Sequence, residues 1–376
     1  TKLAQLHELW KARTYQHAIP LAEQVAGLAR QIYGERHLNY TGSMFNLGML
    51  YSNTRQYEAA FAVFAKVFVI QHELRSPTDK AYKRVLKAVD DAGQRVGAGR
   101  EAVGYYEMAL EKLAREGAMG TKHEVDIKAP LGRLLRFLAD FDRAEQVLRE
   151  ALVVRRRLAK PDDTSIVGDL NNLAGLVRAR GKYAEAADLY KEAIDVQIRV
   201  KGEDSANTGI LLDNIAVMYL TMGQPEEAEP YQKRALAILE KTLGHNHRST
   251  GIALANMAEL CRNLSRFSES EPLFERAITV LTRALPPNHP LLGAVTDNYA
   301  GLFQQRGQYQ KALETYRKAI TILSAAHGPE HPEVAVAYNN VGLALGSLER
   351  HDEAEQSFLK ALAIGRRAFG DNSIKI

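Results

Sequence analysis

The sequence predicts an all-α solenoid, with about nine helix hairpins stacked in order along 376 residues. Three observations predict it. An asparagine recurs at steps of 42 residues, small residues recur in two further columns, and the connecting segments carry Gly and Pro where helices stop and start. From Asn214, steps of 42 reach Asn172, Asn256, Asn298 and Asn340, and three steps below Asn172 lies Asn46. Ala88 and Pro130 occupy the two intermediate steps, so the register survives where the amide is lost. A fixed period of this length is the mark of a stacked-repeat architecture.

The units follow in order as 1–34, 35–76, 77–118, 119–160, 161–202, 203–244, 245–286, 287–328 and 329–370, with a 371–376 tail, all in a single solenoid. One small column runs Ala18, Ala60, Ala102, Ala144, Ala186, Ala228, Ser270, Ala312 and Ala354. The other runs Val25, Val67, Ala109, Ala151, Ala193, Ala235, Ala277, Ala319 and Ala361. Between them stands a large residue, such as Phe64, Tyr106, Leu148, Tyr190, Phe274, Tyr316 or Phe358. Small residues let two helix axes approach closely, and the large one fills the groove beside them. The first unit lacks the start of its first helix. Units three and four depart most, through Gly93, Gly97, Gly99 and Pro130, where a looser joint or a change of pitch is expected. In the ninth, Pro332 to about Leu348 is one amphipathic helix, Glu349-Arg350-His351 a turn, and Asp352 to about Arg367 a second helix. Pro332 suits a first helical turn, and the Gly of segments such as Gly328-Pro329-Glu330-His331-Pro332 suits a helix stop. A lone hairpin cannot bury both faces, so neighbours must stack.

Composition narrows the function. The net charge is +4, which argues against a general nucleic-acid binder. No apolar run is long enough for a membrane span. The single cysteine, Cys261, excludes a disulfide framework and any multi-thiolate metal site. Residue 1 is Thr, a processed end or a cut, and no signal segment is visible; a cytoplasmic location is expected, with a processed exported form as the alternative.

These units resemble tetratricopeptide repeats of the 42-residue, kinesin-light-chain-like kind. The segments that carry the resemblance are Leu170 to Val196 and His331 to Ile364. It implies a right-handed superhelix whose first helices line a concave groove. It also implies that marker amides bond the backbone of an extended peptide. Carried over by position, the ladder is Asn46, Asn172, Asn214, Asn256, Asn298 and Asn340. An amide offers the donor and the acceptor that a peptide unit needs. Packed helices lie ~8–10 Å apart and an extended chain rises ~3.3 Å per residue, so each rung meets roughly every third residue. The alternative reading has the same amides bonding neighbouring helices.

Beside the ladder stand Arg84, Lys87, Arg133, Arg136, Arg178 and Arg262, with Asp213, Glu259 and Asp297 further along. The expected groove is basic over units three to five and mixed beyond, which favours a protein or peptide partner carrying acidic residues. The chaperone-binding clamp known in this fold wants Lys or Arg four residues before the marker. Here those positions hold Gly168, Ile210, Ile252, Ala294 and Val336, so capture of a C-terminal carboxylate is disfavoured.

Other motifs belong to scaffold. His37, His247, His289 and His331 recur one per unit, too far apart to share a metal, and read as loop caps. His245-Asn246-His247 lies between helices, and Gly97-Ala98-Gly99 follows no strand, so neither nuclease nor nucleotide loop is expected. Cys261 falls in an apolar column, and Arg155-Arg156-Arg157 reads as a solvated helix end. No catalytic constellation, cofactor or metal site is expected. The function expected is a non-catalytic scaffold that grips an extended segment. The alternative is a regulatory arm of a larger protein, such as one with a caspase-like protease or nucleotide-switch domain. No polar capping helix follows the ninth unit, so Leu343, Leu345, Leu359 and Leu362 are expected partly uncovered, open to self-association or to further chain.

Overall fold

The computed structural model describes residues 2–160 and 163–369. Eighteen α-helices and no strand are found among them. The first helices of the hairpins are α1 (Lys2–Lys11), α3 (Leu38–Asn53), α5 (Lys80–Arg95), α7 (Lys122–Phe137), α9 (Ser165–Ala179), α11 (Ala206–Thr221), α13 (Arg248–Asn263), α15 (Pro290–Gln305) and α17 (Pro332–Ser347). The second helices are α2 (Tyr15–Tyr33), α4 (Tyr57–Leu74), α6 (Gly99–Arg115), α8 (Phe141–Leu158), α10 (Tyr183–Lys201), α12 (Pro225–Leu243), α14 (Phe267–Ala284), α16 (Tyr309–His327) and α18 (His351–Phe369). The chain is an all-α helical-repeat solenoid. It divides into two compact units, Thr1–Glu185 and Ala186–Ile376. Within the first, α1 to α9 each pack on the next; within the second, α11 to α18 do the same. First helices also neighbour one another, α7 with α9, α11 with α13 and α13 with α15. The tail at 371–376 lies outside the described residues.

Two devices repeat at the 42-residue period and set the hairpin. The first is a cap. The side chains of His37, Asp79, Thr121, Ser205, His247, His289 and His331 each accept a backbone N–H at the start of a first helix. Asp163 completes the column by accepting from the Ser165 N–H at 2.8 Å. An oxygen or ring nitrogen there satisfies an amide the helix leaves orphaned. The second device is a left-handed residue in the turn inside each hairpin: Arg13, Arg55, Gly97, Ala139, Gly181, Gly223, Ser265, Gly307 and Glu349, with φ of 56–75°. Five of the nine are not glycine, so the turn is imposed by the packing of the two helices rather than by local preference.

The core follows the small columns. Ala18, Ala60, Ala102, Ala144, Ala228 and Ala312 are buried, and so are Ala109, Ala151, Ala235, Ala277 and Ala319. Ser270 takes the alanine position in its unit and donates its hydroxyl to the Ala258 carbonyl at 2.8 Å, so its burial leaves no orphan. Phe64, Tyr106, Leu148, Phe274 and Tyr316 fill the grooves between. Cys261 is fully buried beside Ala216, Ala228, Met257 and Leu260, and burial pushes its thiol up. In the ninth unit Leu343 and Leu359 are exposed and Leu362 is half-buried. Leu345, expected to share that exposure, is buried instead, because it packs with Phe303, Leu313, Tyr316 and Val341. Pro130 does not break its helix; α7 runs through it from Lys122 to Phe137.

Candidate functional site: the inner faces of the first helices

In the first compact unit, α5, α7 and α9 line one cavity of about 450 Å³. They bring together side chains from three successive repeats. Lys83, Lys87, Asp90 and Asp91 come from α5, Asp126, Pro130 and Arg133 from α7, and Gly168, Asp169 and Asn172 from α9. Tyr106 of α6 and Arg155 of α8 complete the wall. Four cations and four carboxylates therefore face the space, and most are matched in place. Lys83 Nζ donates to Asp126 Oδ2 at 2.7 Å and sits 2.7 Å from His123 Nδ1. Arg155 Nε donates to Asp169 Oδ2 at 2.7 Å, and both side chains are largely withdrawn from solvent. Asp90 accepts from the Tyr106 hydroxyl at 2.9 Å and from Gln94 Nε2 at 2.6 Å. Burial raises the Asp90 and Asp169 carboxyls above their ordinary value, and it outweighs the hydrogen bonds that pull them down. Lys87 and Arg133 are exposed and form no ion pair among the described residues. With Asn172, which is half-buried, and the exposed Asp91, they are the polar groups of this cavity outside any ion pair or hydrogen bond among the described residues.

The remaining expected residues lie as follows. Arg84 is exposed and stacks its guanidinium over the Phe45 ring at 4.6 Å, and Arg136 is exposed. Arg178 is half-buried, with a buried Nε that has no partner. Arg262 is held by Glu259, Nε donating to Oε2 at 3.0 Å. Arg155, expected in a solvated helix end, is instead a half-buried part of the cavity wall, because Asp169 on the next helix draws it inward. Its neighbour Arg157 donates to the Gly120 carbonyl at 2.9 Å. Sequence reasoning missed Lys83, Asp126 and Asp169. Asp126 stands at the clamp position of its unit, four residues before Pro130, so the register alone would have found it.

The second compact unit handles its marker amides differently. Asn256 Nδ2 donates to Asp213 Oδ2 at 2.9 Å, tying α13 to α11. Asn340 Nδ2 donates to Asp297 Oδ2 at 2.9 Å, tying α17 to α15. In each tie the acceptor stands immediately before the marker of the preceding repeat. Asp213 is buried and also accepts from Gln232 Nε2 at 2.7 Å. Asp297 keeps its second oxygen, Oδ1, buried without a partner, and burial raises this carboxyl to about 6. Before the marker that precedes Asn298 the sequence has Ala255, not Asp, and Asn298 is exposed, while Asn214 is half-buried and engaged. Asn46, in the first compact unit, is exposed.

One group of His and Glu donors lies close enough to suggest a metal among the described residues, His327, His331 and Glu333. His331 Nδ1 already accepts the Glu333 N–H at 3.3 Å. That cap leaves the proton on Nε2, so a metal there would have to displace it. No helix among the described residues is long and apolar enough to cross a membrane.

With hairpins, period and inner faces in place, the class is a helical-repeat solenoid that presents side chains from successive first helices along one face. Tetratricopeptide repeat family models match residues 41–68, 131–164 and, in four overlapping segments, 169–367. The chain belongs to the tetratricopeptide repeat family. Among solved structures it is similar to the apo form of the quorum sensor NprR from B. thuringiensis, at 16% identity and a TM-score of 0.61, over 96% of this chain and 97% of that one. It is also similar to the apo form of RapI, at 12% identity and a TM-score of 0.57, over 76% and 98%. A third is BtubC (BKLC) from P. vanneervenii, at 23% identity and a TM-score of 0.46, over 62% and 92%. No curated protein matches the chain.

Proposed function

We infer that the chain is a non-catalytic interaction scaffold that holds an extended peptide or partner segment along the inner faces of its first helices. The observation that carries this reading is the cavity shared by α5, α7 and α9, where Lys87, Arg133 and Asn172 point uncommitted polar groups into one space. Lys87 and Arg133 supply charge for an acidic side chain, and Asn172 supplies the donor and acceptor for a peptide unit. Of the other charged groups of the wall, Lys83, Asp126, Arg155 and Asp169 are ion-paired and Asp90 is hydrogen-bonded, so they hold the cavity open and set its shape, while Asp91 stays exposed beside Lys87. A protein or peptide ligand carrying acidic residues fits; the balanced wall offers no continuous cationic stripe for a nucleic-acid backbone.

The test is a peptide-array screen on the full chain, followed by anisotropy with the best binder and the variants Arg133→Glu and Asn172→Ala. Arg133→Glu is expected to weaken an acidic peptide by at least about tenfold, with Asn172→Ala weakening it less. Unchanged affinity in both variants would place the ligand elsewhere. A second reading, a sensor array that responds to a peptide, takes support from the fold shared with the quorum sensor NprR along nearly the whole of both chains. It requires a change in the array itself on ligand binding, which small-angle scattering with and without the peptide would reveal.

A further inference from the structure

The positions that line the cavity of the first compact unit have counterparts in the second, and their chemistry is different. Asp126 and Gly168 stand four residues before a marker position, and Arg133 and Asp91 three after one; all four line the cavity. The same two columns on α11, α13, α15 and α17 hold Ile210, Ile252, Ala294 and Val336, then Val217, Glu259, Gly301 and Leu343. Ile210, Ala294, Val336 and Leu343 are exposed, and Ile252 and Val217 are half-buried. α11, α15 and α17 therefore each expose an apolar side chain and α13 a half-buried one, with a marker amide one turn away. Contacts of α11 with α13 and of α13 with α15 make the row continuous. The Asn340–Asp297 bond and a Gln304–Ser347 bond at 3.3 Å carry it on to α17.

Charge is withdrawn from this row. Within one turn of the four markers the only charged residues are Asp213, Glu259 and Asp297. Each is engaged within the scaffold: Asp213 accepts from Gln232 and Asn256, Glu259 is paired with Arg262, and Asp297 accepts from Asn340 and keeps its other oxygen buried. An acidic ligand finds no cation within a turn of these markers, and a basic one finds carboxylates already engaged. An apolar side chain finds one apolar contact per repeat.

We propose that the inner face of α11, α13, α15 and α17 is a second, neutral track that binds an extended partner segment without net charge, with an apolar side chain at about every third residue. The spacing follows from helices packed ~8–10 Å apart and a strand rise of ~3.3 Å per residue. The proposal rests on the reading that first-helix inner faces bind peptides, and it assigns the class of peptide each region takes. Asn298, exposed between Ala294 and Gly301, is the amide placed to bond such a segment's backbone.

The test uses the full chain and two acetylated, amidated, fluorescein-labelled heptapeptides. One has leucine at its first, fourth and seventh positions with glutamine and serine between; the other has glutamate in place of leucine. The variants are Val336→Glu and Leu343→Glu, both at exposed positions and so expected to fold, with circular dichroism as the check. The leucine probe is expected to bind, to weaken at least about tenfold in either variant, and to be indifferent to Arg133→Glu. The glutamate probe is expected to show the reverse pattern. Binding of the glutamate probe alone would overturn the neutral track and leave the scaffold reading standing. Binding of neither would overturn both. Loss of a wild-type dimer in Val336→Glu, seen by light scattering, would mean that a second copy covers this face and would equally overturn the proposal.

Discussion

The inner faces of the two compact units are built from one hairpin and differ in how they treat charge. Within a turn of the marker positions, α5, α7 and α9 carry Arg84, Lys87, Asp90, Asp91, Asp126, Lys128, Arg133 and Asp169, whereas α11, α13, α15 and α17 carry only Asp213, Glu259 and Asp297. The first region pairs Asp126 and Asp169 with cations, holds Asp90 by Tyr106 and Gln94, and leaves Lys87 and Arg133 outside any ion pair. The second spends Asp213 and Asp297 on marker amides of the following repeat, so its ladder is partly turned inward. The same Asn column thus serves two ends. Which end it serves depends on one preceding residue: an Asp there captures the next amide, and an Ala leaves it to solvent.

The largest expected effect breaks the charged region. Arg155→Leu leaves Asp169 buried without its cation, which should cost about 3 kcal/mol at pH 8. Burial already raises the Asp169 carboxyl, so protonation should relieve part of the cost as the pH falls toward 5. Urea titrations at both pH values would show the difference, and an equal loss at each would mean that the pair carries no buried charge.

Next come the two aspartates of the neutral region. Asp213 accepts with both oxygens, so Asp213→Asn sets an amide donor against another donor and should cost about 2 kcal/mol. Asp297 accepts with Oδ2 alone, and an Asn there still offers one acceptor to Asn340. Its carboxyl titrates near 6 in the folded chain against an ordinary 3.8. The folded chain therefore holds a proton that the unfolded chain has released between those values. Stability present below 3.8 is lost as the pH rises through about 6, on the order of 3 kcal/mol. Asp297→Asn should recover much of this at pH 7.5 and almost none at pH 4. Parallel losses for the two substitutions at pH 7.5 would contradict the difference drawn between the ties.

How much of this was legible beforehand divides along physical lines. The period, the alanine columns and the hairpin fold stand in the sequence because close helix packing tolerates few residue types at a contact. The histidine caps were legible because the ring recurs at the same period at helix starts, yet Asp79, Thr121, Asp163 and Ser205 share their column and pass unnoticed when only the ring is sought. The Asn ties to Asp213 and Asp297 were open between two readings, because an amide column does not say which way a side chain turns. Arg155 was misplaced because it lies on a second helix; only the stacking of α8 on α9 carries it to the cavity.

The smallest expected effect sharpens what the two regions share. Ala139 in the first and Glu349 in the second both sit at positive φ, of 59°, in the hairpin turn. Ala139→Gly and Glu349→Gly should each stabilise by about 0.5–1 kcal/mol, the release of left-handed strain being partly offset by a more flexible unfolded chain. A gain at one site and a loss at the other would mean that the two turns are not equivalent.

The central claim is that ligand segments lie along first helices, sorted by charge. The direct measurement is photo-crosslinking of the full chain with the two heptapeptide probes, each carrying benzophenone at its middle residue, followed by mass spectrometry of the adducts. The account expects the glutamate probe on α5, α7 and α9 and the leucine probe on α11, α13, α15 and α17. Adducts gathered on the second helices, or spread alike for both probes, would contradict it.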